Sequence, residues 1–498
     1  MNFLSYTANS PLLFTQLHFW LFLLVVLVIF GLIKNKVKLS HVWLLLCSYF
    51  FYYKSSGNFV ALLLTVTCIT YLFAKAISSV KSKGVKNLLL TIGIILDSSF
   101  LIYFKYTYFF IDIINNVWGL EIEAKDYLSL FANNTFGTWF SIDKIILPVG
   151  ISFFTFQSIS YLVDVYKERV SSKTSFLDFA FYISFFPQLV AGPIVRADVF
   201  LPQLKKPYSL TKEDFNIAFF FILNGLIKKI FVSDYISINF VDRVFSSPDT
   251  FTGLENLLAT YGYTLQIYCD FSGYTDIAIA ISLLFGYHLP KNFNSPYKAI
   301  NITDFWRRWH ISLSSWLRDY IYIPLGGNRK GKFRQYLNLL ITMLVGGFWH
   351  GANIKFVFWG AAHGVLLIVD KIWNSIIGAL KDNKVYRFLS ALATFHLVAA
   401  LWIFFRADSF SNASMVLEKI FTLDITTFTP IVSAYWKPLS IIAFALIIHI
   451  LPEKWKEGYR KVFYNSNIAI KVLIAVIIIF ILVQMKSAAI QPFIYFQF

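Results

Sequence analysis

Charged residues are scarce in this sequence. Only 14% of its 498 residues are Asp, Glu, Lys or Arg, whereas 57% are hydrophobic and 19% are aromatic. A soluble protein of this length needs far more charge to cover its surface. Because lipid solvates an apolar exterior, the composition predicts a polytopic integral membrane protein embedded in a lipid bilayer.

Cysteine is nearly absent as well. Cys47, Cys68 and Cys269 lie in apolar surroundings without the spacing of a metal motif. We interpret them as thiols that face lipid or the protein core, which excludes a disulfide framework. The N-terminus also lacks a basic region followed by a short apolar segment and a small-residue cleavage site, so we expect no cleavable signal.

The chain has no linker rich in Pro, Gly or Ser, no low-complexity tract and no apparent internal repeat. The missing repeat disfavours secondary transporters that are built from repeated halves. Since the polar segments are short, we predict one membrane domain over 1–498. Within it, 1–140 holds peripheral spans, 145–410 holds the functional core, and 433–498 holds terminal spans and an aromatic tail.

Most of the chain consists of long runs of apolar residues. A straight crossing needs a run of ~20 residues, and shorter runs are candidates for re-entrant or buried helices. The pattern predicts an all-α fold with about 11–13 membrane helices plus short re-entrant and interfacial ones. The apolar runs lie at 15–33, 41–54, 58–77, 88–118, 145–165, 176–195, 215–232, 257–287, 334–348, 354–373, 387–405, 433–451 and 467–485.

A formal charge of +17 accompanies these runs. The lysines and arginines lie in short loops such as 34–38, 81–86 and 328–332, and short basic loops remain in the cytoplasm. The charge therefore indicates topology and no nucleic acid partner. With those loops inside, the acidic stretch 119–141 falls outside, and so do both termini.

The densest polar stretch is 304–320. A helix lying at the cytoplasmic interface would suit it, with Trp306, Trp309 and Trp316 as aromatic anchors. One interpretation is an anchor without chemistry, and the other is a functional site, because polar groups at membrane depth are costly. The polar candidates are Arg307, Arg308 and His310.

A second stretch, Gly346–Asn353, ends a long apolar run. Its glycines let another backbone or a substrate come close. Neutral imidazole accepts a proton near pH 7, so His350 suits general base work on a hydroxyl, although a structural histidine bonded across helices is the alternative. His363 lies among small residues, which predicts tight helix packing and a structural role. Together with His310, these histidines match no metal spacing, so we predict no metal site.

Two further stretches place polar or helix-breaking residues in apolar surroundings. Asp270 and Asp276 would be costly if they faced lipid, so we expect them to pair with arginine or with backbone groups at a helix break near Gly273. Two prolines and a glycine within Phe186–Arg196 predict a broken helix of the kind found in re-entrant loops or cavity walls.

In their order along the chain, these stretches resemble the membrane-bound O-acyltransferase family, in its bacterial alginate O-acetyltransferase branch. The chain is similar also to the membrane proteins of peptidoglycan O-acetylation and of D-alanyl transfer. The resemblance covers roughly 10–498. The matching pieces are Leu147–Gln157, Phe186–Arg196, Asp270–Asp276, Trp306–Leu317, Phe348–Asn353, Trp359–Gly364 and Trp402–Ala407.

The resemblance implies a central funnel through the bundle, with an acyl donor on the cytoplasmic side and an acceptor outside. The family's catalytic histidine corresponds to His350, and its second motif histidine corresponds to His310. Acetyl-CoA is the expected donor, and its phosphates suit Arg307 and Arg308. No permanently bound cofactor is expected. The other expected substrate- or donor-binding residues are Trp306, Trp309, Asn353 and Asp270.

The implied activity is acetyl transfer across a bacterial inner membrane to an extracytoplasmic polysaccharide, either an exopolysaccharide or peptidoglycan. A periplasmic or membrane-anchored acetyltransferase partner fits this pathway. The alternative is a transporter or flippase for lipid-linked glycan, which would also need polar cavities and many spans. No phosphate-cradling Gly-Lys loop is present, and a thioester donor needs none.

The aromatic tail 491–498 carries no charged side chain, so water is a poor place for it. Tyr495 bears its only side-chain hydroxyl, whose reference pKa of ~10 lies between that of a thiol and that of a sugar hydroxyl. An aryl ester on Tyr495 would keep enough transfer potential to acylate a sugar, which predicts an acyl relay. An interfacial aromatic anchor is the alternative.

Overall fold

The computed structural model describes the chain over 6, 11–138, 140–171, 173–377, 383–485 and 493–494. Its regular structure over these residues is helical and includes no strand, which confirms the predicted all-α fold. Eight segments of this described part are long and apolar enough to cross a membrane. The protein is therefore a multi-pass membrane protein.

The N-terminal third forms long apolar helices. One of the eight candidate segments, Val37–Ser79, contains two of these helices, and another, Lys83–Trp118, is joined through the π-helical turn Ile102–Tyr106. A π turn inserts an extra residue into a helix and often marks a functional position. The helices are α1 Leu17–Ile33, α2 Val37–Ser56, α3 Val60–Ser79, α4 Lys83–Leu101, α5 Thr107–Trp118 and α6 Tyr127–Phe136.

The middle of the chain mixes long and very short helices. As predicted, the helix breaks within Phe186–Arg196, where a four-residue helix is followed by irregular backbone. The helices are α7 Ile151–Tyr166, α8 Phe176–Ser184, α9 Phe186–Leu189, α10 Ala197–Phe200, α11 Lys212–Leu226, α12 Asp242–Ser246, α13 Gly253–Leu284, α14 Ile302–Arg308, α15 Ile311–Leu317, α16 Gly331–His350, α17 Ile354–Ile376 and α18 Lys384–Arg406.

Four helices complete the described chain. One of them, α21, is amphipathic, with buried Phe463 on one face and exposed basic residues on the other, as is typical of an interfacial helix. The helices are α19 Phe410–Phe421, α20 Phe428–Ile450, α21 Glu453–Asn465 and α22 Ile468–Met485.

Burial separates the central helix from the peripheral ones. In the apolar 18-residue stretch of α13, 83% is buried inside the protein, whereas in that of α22 only 11% is buried. A helix that is apolar all round and unburied within the protein must face lipid. Thus α13 forms the axis of the bundle, and α22 lies at its periphery.

The helix break expected at Gly273 was wrong, because α13 runs through this residue without interruption. A Cβ built on Gly273 would lie 2.8 Å from the carbonyl oxygen of Gly225 on α11. Glycine is therefore required here for close packing between two helices and not for a turn.

A single interfacial helix over 304–320 was also wrong. Two short helices, α14 and α15, meet at His310, which has a left-handed backbone with φ +40°. The expected anchors Trp306, Trp309 and Trp316 are 8%, 1% and 4% exposed, so they pack inside the protein and not at the lipid surface. The segment is a broken, buried element of the core.

Candidate functional site

His350 is the last residue of α16, and it is 4% exposed. The chain turns back into α17 within three residues. Asn353, predicted to bind substrate or donor, is the N-cap of α17, and its side-chain oxygen accepts the Lys355 N–H at 3.0 Å. The hairpin thus ends in a capped turn that holds His350 at the tip of its helix.

Glycines bring the two arms of this hairpin together, as predicted. A Cβ on Gly347 would lie 2.3 Å from the carbonyl oxygen of Phe356 and 2.9 Å from Cα of Gly360. On Gly364, beside His363, a Cβ would reach a Leu340 methyl at 3.0 Å. The small residues therefore set the distance between α16 and α17, and with it the position of His350.

Aromatic rings surround His350. Its ring centroid lies 5.3 Å from that of Trp359 and 5.2 Å from that of Phe405. A small cavity of about 30 Å³ is lined by His350, Trp349 and Lys105 together with the start of α7. The imidazole is thus shielded from bulk water by the aromatic rings, and His350 borders this small cavity.

His310 lies close to this group. Its ring is 6.1 Å from that of Trp349 and 4.7 Å from that of Phe271, and the residue is fully buried. Burial lowers the pKa of His310 to about 3, because the apolar surroundings penalise its cation. The imidazole is therefore neutral at physiological pH. Left-handed backbone at a non-glycine residue costs about 1–3 kcal/mol and clusters at functional sites.

His363 has the structural contacts predicted for it. Its Nδ1 accepts a hydrogen bond from Nε1 of Trp306 at 3.3 Å, and its ring packs 4.6 Å from that of Trp359. Trp306 and Trp309, both expected to bind the donor, lie in this aromatic core. The ring of Trp309 is 5.0 Å from that of Trp402. These tryptophans position the histidine segments.

The predicted arginines line a separate cavity of about 660 Å³. Arg308 is held by Asp304, with Nε 2.9 Å from the carboxylate oxygen, and its Nη1 donates to the Asn294 carbonyl at 3.3 Å. Arg307 is exposed. The basic side chains on the wall outnumber its two carboxylates, Asp304 and Asp370, so the cavity suits an anion. Those bases are Lys298, Arg307, Arg308, Lys371 and Arg387.

A third cavity, of about 470 Å³, borders the His350 turn and is here called the polar chamber. Carboxylates, ammonium groups, a guanidinium and amides share its wall. Its lining includes Lys105, Lys229, Asp234, Asp242, Tyr263, Gln266, Asp270, Gly351, Asn353, Lys355, Arg406, Asp408 and Ile494. The polar chamber therefore suits a hydroxyl-bearing ligand, and it shares Lys105 and Leu147 with the cavity beside His350.

Asp270 and Asp276 on α13 pair with lysines and not with arginine, the side-chain partner that the sequence predicted. Lys229 pairs with Asp270 and lies 2.9 Å from Asp234, and Lys228 lies 2.7 Å from Asp276. Asp270 thus faces the polar chamber, away from the cavity that holds the predicted arginines.

Ile494, near the C-terminal end of the chain, lines the polar chamber. The N–H of Ile494 donates to Asp270 at 2.8 Å, and the Lys229 ammonium lies 4.5 Å from the Phe493 ring centroid. Both described residues of this segment are buried. Tyr495, the predicted relay, lies outside the described residues.

Sequence reasoning missed Lys105 and Lys229. Each is a cation within a long apolar helix, and that signal alone identifies a functional candidate at membrane depth. Among the described residues, no group of three or more His, Cys, Asp or Glu side chains could hold a metal ion.

Comparison with known proteins identifies the family to which the chain belongs. Residues 3–405 match the model of the membrane-bound O-acyltransferase family. The chain is 38% identical over 408 residues to the peptidoglycan O-acetyltransferase of Helicobacter pylori, covering 77% of this chain and 74% of that protein. It is 33% identical over 482 residues to the probable alginate O-acetylase AlgI of Pseudomonas putida, covering 91% and 94%.

A more distant relative is the teichoic acid D-alanyltransferase of Bacillus subtilis, which is 30% identical over 284 residues, covering 54% of this chain and 71% of that protein. All three relatives are named as proteins that transfer acyl groups. The chain is therefore a member of the membrane-bound O-acyltransferase family, and it is an acyltransferase.

Proposed function

We propose that this enzyme transfers an acetyl group from cytoplasmic acetyl-CoA to an extracytoplasmic polysaccharide, an exopolysaccharide or peptidoglycan, in the bacterial inner membrane. One observation carries the proposal. His350 is buried at the end of α16, beside the polar chamber that suits a hydroxyl-bearing ligand. The names of the relatives, alginate O-acetylase and peptidoglycan O-acetyltransferase, support the acceptor class.

The basic cavity around Arg307 and Arg308 serves as the donor entrance. Coenzyme A carries phosphates, and guanidinium groups bind phosphate through paired hydrogen bonds. The cavity volume of about 660 Å³ is within the usual range for a small-molecule site. With the basic loops in the cytoplasm, this entrance is on the side where acetyl-CoA is available.

His350 acts as general base. It takes the proton of the acceptor hydroxyl while the hydroxyl oxygen attacks the thioester carbonyl carbon and the carbonyl electron pair moves to oxygen. The tetrahedral intermediate collapses, the C–S bond breaks, and the departing thiolate takes the proton from the imidazolium. His310 remains neutral during this cycle and contributes shape and hydrogen-bonding capacity near Trp349.

Tyr495 is the first acceptor in this scheme. It follows Ile494, which lines the polar chamber and is bonded to Asp270. The phenol is acetylated as described above, with His350 taking its proton. A sugar hydroxyl then attacks the aryl ester, the phenolate leaves and the sugar proton returns to it. A periplasmic or membrane-anchored partner completes delivery to the polysaccharide.

The test is acetyl-CoA hydrolysis and acetyl transfer by the purified protein in detergent or nanodiscs. The wild type should release free thiol, and His350→Ala should lose ~10²–10⁴-fold in rate while it keeps its elution volume and melting temperature. More than half of the activity remaining in His350→Ala would remove the histidine from the mechanism. No thiol release by the wild type would instead favour a transporter or flippase for lipid-linked glycan.

A further inference from the structure

Lys105 lies at an exceptional place in the fold. It is part of the π-helical turn Ile102–Tyr106 between α4 and α5, within a long apolar helix. Its ammonium reaches the far end of another helix, 244 residues away in sequence, where it donates to the carbonyl of Trp349 at 2.7 Å and to that of His350 at 3.1 Å. A charged group at this depth is costly, so its placement needs a physical reason.

One reason is capping. The last carbonyls of a helix carry partial negative charge, and a lysine placed there stabilises the helix end. Lys456 makes the same kind of contact elsewhere, because its Nζ donates to the His449 carbonyl and to Oγ of Ser295, both at 2.8 Å. Capping explains that lysine fully, since it lines none of the three cavities described above.

Lys105 differs from a simple cap in its surroundings. It lines both the polar chamber and the small cavity beside His350, so it borders both spaces. Its third contact, with Oγ of Ser152, is long at 3.4 Å. In the described part of the chain no carboxylate forms an ion pair with Lys105. Its positive charge is thus available to a ligand in these cavities.

We propose that Lys105 is a catalytic residue that stabilises the oxyanion formed when the acyl carbonyl is attacked beside His350. The carbonyl electron pair that moves to oxygen creates a negative charge, and the N–H now directed at Ser152 turns to this oxygen. When the C–S bond breaks, the charge leaves with the thiolate, and Lys105 keeps its own proton throughout. The inference rests on the proposed acyl transfer.

The first experiment compares two lysines with similar contacts. Lys105→Met should lower kcat for acetyl transfer by ~10²–10³-fold, as expected for loss of an oxyanion donor, with KM for acetyl-CoA changed less than about threefold. Lys456→Met loses an equivalent cap outside the cavities that border His350 and should keep more than half of the wild-type kcat. If Lys105→Met keeps more than half of kcat as well, the inference is refuted.

The second experiment separates charge from capping in Lys105→Cys, with the exposed Cys68 replaced by serine. Alkylation with 2-bromoethylamine builds a cation of lysine length, and alkylation with iodoacetamide builds a neutral amide with N–H donors at the same reach. Modification is checked by mass spectrometry. Recovery of kcat with the cation alone supports an oxyanion role. Equal recovery with both reagents, or recovery with neither, refutes it.

The two proposals fail in different ways. An inactive wild type, or a His350→Ala variant as active as the wild type, removes the proposed acyl transfer at His350. An active wild type with an inactive His350→Ala variant and a fully active Lys105→Met variant removes only the role of Lys105.

Discussion

Replacing Gly347 by alanine tests whether the contact between α16 and α17 positions His350, the proposed general base. The added Cβ would lie 2.3 Å from the Phe356 carbonyl oxygen, whereas ordinary contact begins near 3.4 Å. The difference, 3.4 minus 2.3, means that α16 and α17 must separate by about 1 Å. Both nearby partners, Phe356 O and the Gly360 backbone, belong to main chain, so no side chain can move aside to absorb the clash.

This separation has two expected effects. Overpacking of a tight contact costs about 1–3 kcal/mol, and the better helix propensity of alanine offsets about 0.5–1 kcal/mol of it. Because Gly347 lies one turn before His350, the imidazole moves with the helix, and a displacement of about 1 Å costs on the order of 10²-fold in rate. The variant should therefore fold with a lower melting temperature and lose most of kcat.

Two other glycines provide matched controls. Gly364→Ala meets a Leu340 methyl at 3.0 Å and Cα of Leu340 at 3.2 Å, so a shift of only a few tenths of an ångström relieves the contact, and the variant should lose only a few-fold in rate. Gly458→Ala in α21 meets nothing within 4 Å and should leave kcat unchanged. Rates come from acetyl-CoA thiol release, and melting temperatures come from thermal unfolding in detergent. Full kcat in Gly347→Ala would refute the idea that this contact positions His350.

Three further outcomes are expected. Replacing Arg307 and Arg308 by glutamine should raise KM for acetyl-CoA more than it lowers kcat, and an unchanged KM would contradict donor binding in the basic cavity. The wild-type tail should carry an acetyl adduct that is detectable by mass spectrometry, and Tyr495→Phe should abolish both this adduct and transfer to the polysaccharide, whereas full transfer would leave only an anchoring role. His310→Asn, which tolerates left-handed backbone, should weaken the loss of thermal stability between pH 6.5 and acidic pH. The sign follows because the unfolded histidine gains a proton below 6.5, whereas burial lowers the pKa of folded His310 to about 3, so acid favours unfolding; equal pH profiles would contradict it.

The sequence by itself determined the environment and the class of the protein. Low charge and recurring apolar runs are averages over many residues, so they predict membrane helices without knowledge of any contact. The sequence pointed to His310, His350 and the Asp270 segment as functional candidates, because these polar residues lie in apolar surroundings. The energetic cost of a polar side chain at membrane depth is a local property that can be seen without a structure. The glycines beside His350 predicted close packing, because the absence of a side chain is also a local property of the sequence.

Only the tertiary structure decided which groups meet. Lys105 contacts a helix end 244 residues away, and the C-terminal Ile494 contacts Asp270 over a separation of 224 residues. Local periodicity carries no information about such pairs. The same limit explains two wrong predictions. A helix break was predicted near Gly273, where glycine allows a neighbouring helix to pack closely, and an interfacial anchor was predicted at Trp309, which packs in the core. Amphipathic and small residues suit several environments, and the packing of distant helices decides which one they occupy.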